Sequence, residues 1–223
     1  MNPHRLDDAA VSGVYQSIHG RRDIREFAPG PLPDGMLARL FQAGHAAPSV
    51  GYMQPWRMIH ITDGALREAI VGVVEKERHS TAAALPSRKD EFLKLKVEGL
   101  RSCADVVVVA LMDGRERHVF GRRTLPEMDL ASAACAIQNM WLAARAEGFG
   151  LGWVSIFDPG ELAALLAMPA GARPIAILCI GRVAGFPDRP VLDSLGWGSR
   201  LPLENVVFEN RWPENAEPTP PAY

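Results

Sequence analysis

Asp105-Val106-Val107-Val108-Val109-Ala110-Leu111-Met112 is an unbroken, largely β-branched apolar run, and its lack of alternation decides the fold class. A strand with one wet face alternates apolar and polar residues, whereas a run that is apolar throughout needs cover on both faces. The run therefore predicts a central strand in a sheet clothed by helices.

The flanking sequence supplies that cover. Gly114 and Gly121 mark a loop that leads to Pro126, which suits the first turn of a helix, with Glu127 and Asp129 placing negative charge at the positive end of its dipole. This helix is expected to run to Glu147 and end at Gly148. Its body is rich in alanine and apolar on nearly all sides, the pattern of a buried spine or of a face for a second copy of the chain. Strands are expected at 151–156 and 174–182 around a helix at 159–168; upstream, helices at 8–18, 34–46 and 64–78 surround a strand at 57–62. The pattern is α+β, one domain over 1–223 with a mixed sheet covered by helices. Residues 79–99 hold a charged run from Arg88 to Glu98 and read equally well as a lid or as an ordinary exposed helix. Residues 184–212 are rich in proline and glycine, an arm too poor in apolar residues to fold on itself, and 213–223 are expected to be disordered.

Composition excludes several classes of function. With 223 residues, 48% of them hydrophobic, the chain can bury a full core, and a net charge of −2 gives no electrostatic reason to expect nucleic acid or a membrane surface. No apolar run approaches a bilayer span, and Met1–Asp8 lacks the hydrophobic stretch of a signal peptide, so a cytoplasmic protein is expected. Cys103, Cys135 and Cys179 are odd in number and widely spaced in apolar surroundings, which suits buried thiols rather than disulfides or a metal site. The six histidines show no metal-ligand spacing, and no metal is expected. Gly148-Phe149-Gly150-Leu151-Gly152 follows a helix and precedes a strand, the reverse of a dinucleotide-binding fingerprint. Ser155 has no nucleophile elbow around it.

Two segments carry chemistry. Arg21-Arg22-Asp23-Ile24-Arg25 packs three guanidiniums into five residues, which repel one another unless an anion or acidic partner holds them. Arginine's planar fork matches phosphate oxygens; by itself the cluster reads as readily as a solvated turn with Asp23 as its counter-charge. One helix later comes Ala47-Pro48-Ser49-Val50-Gly51-Tyr52-Met53-Gln54-Pro55-Trp56, a proline-bounded loop offering a hydroxyl, an amide and an indole.

Arg-Arg-x-x-Arg followed by Ala-Pro-Ser and Gln-Pro-Trp resembles the FMN-dependent nitroreductase superfamily. The helix from Asp129 to Arg145, its Gly148-Phe149-Gly150 exit and Ser199-Arg200-Leu201-Pro202 agree, so the likeness spans roughly residues 14 to 208. Asp23, where ordinary members carry serine, and Tyr52-Met53, where they carry asparagine, together with Gly152-Trp153-Val154-Ser155, make the pattern similar to the 5,6-dimethylbenzimidazole synthase family within it. That resemblance implies a homodimer in which the C-terminal arm wraps the partner and both subunits build each flavin site. It implies that Arg21, Arg25 and Arg200 hold the FMN phosphate, with Arg22 sharing that work or facing solvent, and that Ser49 hydrogen-bonds the flavin. It places Ser155 beside the reactive face.

In that family reduced FMN is a substrate that O2 fragments to 5,6-dimethylbenzimidazole, the lower ligand of cobalamin, and a separate reductase supplies it. Asp23 is then a proton acceptor that a serine could not replace; without the resemblance it reads as a counter-charge for its neighbours, and Ser155 as a strand-end residue. Tyr52 and Met53 would shape an oxygen pocket or block nicotinamide. The competing readings are an NAD(P)H-dependent nitroreductase or quinone reductase that keeps its FMN, and a flavin carrier or sensor without catalysis.

Overall fold

The computed structural model describes residues 2–96 and 99–213 and divides into two compact units, Met1–Phe186 and Pro187–Tyr223. The first unit holds β1 (Trp56–Ile61), β2 (Asp105–Leu111), β3 (Gly150–Val154) and β4 (Arg173–Gly181), in the spatial order β1-β2-β4-β3. These neighbours all pair antiparallel. Among the described residues, a parallel direction enters the sheet only through the isolated bridge between Asp23 and Leu151. A register shift between Val109 and Ala110 sets Ala110 opposite Pro174, a residue with no N–H to give the ladder.

β2 is an interior strand, and its valines serve two cores. Val107 and Val109 pack with Leu40, Ile137 and Met140, from the helices α2 (Met36–His45) and α5 (Met128–Ala146). Val106 and Val108 pack with Ile70, Val71 and Val74 of α3 (Gly64–Ala83) and Leu162 of α6 (Pro159–Leu165). Each such fully buried aliphatic side chain contributes about 1.5–3 kcal/mol, so the β-branched run reflects a demand for burial on both faces. Helix starts follow local chemistry: Asp7 caps α1 (Asp8–Gly20), Asp63 caps α3 and Asp158 caps α6, each accepting a backbone N–H of the first turn.

Four details depart from the sequence reading. α5 begins at Met128 behind Glu127, leaving Pro126 ahead of the helix. It also has a solvent side: Leu130, Ala131, Cys135 and Gln138 are exposed, because the sheet and α2 take up only the side carrying Ala133, Ala136, Ile137, Met140 and Ala144. Cys135 is consequently an exposed thiol, and only Cys103 and Cys179 are buried. These two share a hydrogen bond that, together with burial, raises the Cys179 thiol well above its ordinary value. Finally, α3 runs on to Ala83 before the short α4 (Lys89–Lys94), and Arg78 donates to the carbonyls of Leu93 and Leu95, tying the end of α4 back to α3.

The described residues of the second unit hold one helical turn, α7 (Val191–Ser194), and a 3-10 turn at Leu203–Asn205. It exposes Leu192, Leu195, Val206, Val207 and Trp212. The expectation of disorder over 214–223 concerns residues outside those described.

Two glycines make opposite predictions. A Cβ on Gly152 would collide with the Ile24 carbonyl oxygen, and backbone cannot rotate aside as a side chain can, so Gly152→Ala should cost at least about 2–3 kcal/mol in urea unfolding. Gly72, exposed within α3 with nothing near its Cβ position, should instead stabilise by about 1 kcal/mol when changed to alanine. Equal effects in the two variants would contradict this account of the packing.

Candidate active site

The segment that follows α1 is fastened almost residue by residue. Arg145 of α5 donates to the Gly20 carbonyl (2.9 Å), and Trp141, one turn earlier on the same face of α5, donates through Nε1 to the Arg22 carbonyl (3.1 Å). Ile24 N–H donates to the Leu151 carbonyl (3.2 Å). The Asp23 carboxylate accepts the Trp153 N–H at 2.9 Å through Oδ1 and the Arg25 guanidinium at 2.5 Å through Oδ2. Arg25 also donates to the Trp153 carbonyl (2.7 Å). Both backbone groups of Trp153 on the outer edge of β3 are thereby used. The approach is possible because residue 152 has no side chain.

Asp23 and Arg25 are half-buried, and Nη1 of Arg25 is buried with no hydrogen-bond partner among the described residues. A buried guanidinium donor left unpaired is costly, and an anionic oxygen is the group that satisfies it best. Arg21 lies with its guanidinium 4.4 Å over the Trp141 ring, which in turn tilts against Trp153 at 6.4 Å.

Ser155 is exposed one residue beyond β3, two residues from the Trp153 that holds Asp23. It lines a cavity of about 440 Å³ with Phe157, Arg115, Arg122, Asp129 and Arg173. Asp129 is 5% exposed, and its Oδ2 accepts Arg115 at 2.8 Å and Arg122 at 3.0 Å. The sequence reading assigned Asp129 only to the helix dipole; the structure makes it the brace of the cavity wall, with Arg115 also reaching the Gly171 carbonyl (2.8 Å).

The second segment sits elsewhere in the chain. Val50 N–H donates to the Ser132 hydroxyl (3.0 Å), which itself donates to the Met128 carbonyl (2.6 Å). Ser132 and Trp141 are nine residues apart on α5, about 14 Å of helix, so the two halves of the expected flavin site are anchored at different points along one helix. Ser49 accepts the Gln54 N–H (3.0 Å), which leaves the hydroxyl proton to be donated. Positive φ at Gly51, Tyr52 and Gln54 folds the loop tightly, and the Phe120 carbonyl stands 2.9 Å from where a Gly51 Cβ would be. Tyr52 is 85% exposed and Met53 only 8%, so of that pair Tyr52 alone is offered at the surface. Arg200 lies exposed in the second compact unit.

The residues missed from sequence are Trp153, whose contribution is its backbone, and Trp141, Arg145, Ser132 and Asp129, all but the first on α5. A tryptophan and an arginine four apart in an alanine-rich helix were the available signal. Among the described residues, no group of three His, Cys, Asp or Glu side chains is placed to hold a metal ion, and no helix is long and apolar enough to cross a membrane.

The chain is 40% identical over 199 residues to 5,6-dimethylbenzimidazole synthase of Rhodospirillum rubrum, covering 88% of this chain and 94% of that one. It is 36% identical to 5,6-dimethylbenzimidazole synthase of Rhodobacter capsulatus over 86% and 93% of the two chains, and 30% identical to oxygen-insensitive NADPH nitroreductase of Salmonella typhimurium over 91% and 75%. Its fold matches nitroreductase A from Vibrio parahaemolyticus (TM-score 0.68, 23% identity, 91% and 77% covered) and a BluB-like flavoprotein from Clostridium difficile (TM-score 0.68, 19% identity, 89% and 99% covered). The model of the nitroreductase family matches residues 18–182, from the end of α1 past the last strand, and the chain belongs to that family.

Proposed function

We propose that this protein is a 5,6-dimethylbenzimidazole synthase, acting on reduced FMN and O2. The observation that carries the reading is Asp23: a carboxylate fixed by Arg25 and by the N–H of Trp153, a residue two positions before the exposed Ser155, at the position where ordinary family members carry serine. The relatives named as synthases, 33–40% identical over nearly the whole chain, support it.

The residues present fit an FMN. The unsatisfied Nη1 of Arg25 suits a phosphate or another anionic oxygen, and Arg21, Arg22, Asp23, Arg25, Ser49 and Ser155 are the residues that would hold the molecule. Reduced FMN, when bound, supplies the electrons that O2 accepts and the ring carbons of the product. Asp23 keeps lone pairs beyond its two hydrogen bonds and is placed to accept a proton, a task for which a serine hydroxyl is too weakly basic at neutral pH. Its partners hold it in one orientation, which is what proton transfer requires. Ser155, with both backbone and hydroxyl donors, binds and orients at the mouth of the cavity.

The working unit in this reading is a homodimer. Ser49 and the Arg21–Arg25 segment are anchored apart within one protomer, so a second copy would bring its loop to complete the site. The exposed Val14, Tyr15 and Ile18 of α1, which buries no residue, offer it an apolar face. Tyr52 hinders nicotinamide, so a separate flavin reductase provides the reduced FMN, in the cytoplasm.

Protein mixed anaerobically with reduced FMN and then exposed to air should release 5,6-dimethylbenzimidazole, detected by chromatography and mass, and Asp23→Asn should lower the yield at least about 100-fold. Recovery of intact FMN alone would instead favour an NAD(P)H-dependent nitroreductase, the activity named for the 30%-identical relative from Salmonella typhimurium. Tyr52→Asn, which keeps a residue tolerant of positive φ, should speed NADPH bleaching of bound FMN by about tenfold; an unchanged rate removes Tyr52 as the barrier. Light scattering should give twice the 24.3 kDa chain mass, and a monomer would contradict the shared site.

A further inference from the structure

We propose that Trp141 is a positioning residue for the site, holding the Arg21 guanidinium over its indole so that the cation is presented to the phosphate of FMN. The proposal rests on the phosphate role given to Arg21 above. Three observations support it.

The first is the stack itself, with Arg21 Cζ 4.4 Å from the ring centroid. Tryptophan is the aromatic that attracts a cation most strongly, and the attraction grows when the pair is withdrawn from water. A stack occupies the face of a guanidinium and not its N–H edge, which is the part a phosphate binds.

The second is that the indole cannot drift. It is 9% exposed, packed in the core formed by α2, α5 and the sheet, and its Nε1–H is committed to the Arg22 carbonyl at 3.1 Å. One side chain thus grips two consecutive residues of the motif, the cation of Arg21 and the backbone of Arg22. Phenylalanine could do only the first.

The third is the company Trp141 keeps. Arg145, four residues on, fixes the Gly20 carbonyl, so one face of α5 aligns residues 20 to 22 as a unit. A free surface arginine loses rotamer freedom when it grips a phosphate; one already stacked has lost much of it on folding, which leaves more of the contact energy for affinity.

The test compares FMN with riboflavin, which lacks the phosphate, by flavin-fluorescence titration of the full chain. Wild type should prefer FMN. Trp141→Leu should weaken FMN about tenfold, the factor that about 1.4 kcal/mol of lost cation attraction gives, and riboflavin by less than about twofold. Trp141→Phe, which keeps a ring, should lose about threefold for FMN alone, and it carries the test if Trp141→Leu does not fold. Combining Trp141→Leu with Arg21→Ala should weaken FMN no further than Arg21→Ala does, because the two act on one interaction. Equal weakening of both flavins, or an FMN preference left as in wild type, would overturn the proposal while sparing the phosphate role. A wild type that holds riboflavin as tightly as FMN would overturn that role and the proposal with it.

Discussion

The close approach of residues 23–25 to β3 is the constraint on which the site depends. Gly152 offers no Cβ, so the Ile24 backbone can lie against the strand, and only then do Asp23 and Arg25 reach the two backbone groups of Trp153. Half-buried charged groups are held by several short hydrogen bonds, the condition under which a carboxylate and a guanidinium keep a fixed geometry instead of sampling many. The chemistry proposed for Asp23 is therefore an outcome of backbone packing before it is one of side-chain identity.

α5 is the second organising element. Its first turns hold Asp129 between two arginines and Ser132 under the Val50 loop; its last turns hold Gly20 and Arg22. One rigid helix thereby sets the cavity beside Ser155, the loop bearing Tyr52 and the arginine motif. Residues on the same helix cannot move independently, so displacement of one of these features is felt at the others through α5.

Much of this was legible in the chain. The valine run of β2 announced a strand buried on both sides because an apolar run without alternation needs cover on both faces; the aspartates that cap α1, α3 and α6 went unread. Arg21, Asp23, Arg25 and Ser155 were singled out through residue type and resemblance, and the structure pairs Asp23 with Arg25. What stayed hidden was non-local. Asp129 looked like a dipole partner because its arginines lie 7 and 14 residues away across a loop. Trp153 was invisible because its backbone acts. Cys135 looked buried because apolar composition does not say which side of a helix faces the sheet.

β3 lies at the end of the four-strand order, and a bare edge strand displays unpaired N–H and C=O groups that invite any other extended chain. Here Ile24 takes the Leu151 carbonyl, Asp23 takes the Trp153 N–H and Arg25 takes its carbonyl. The same few residues that would grip an anion close the edge of the sheet. Loss of this segment would therefore expose a sticky strand, which ties the solubility of the protein to the integrity of its arginine motif.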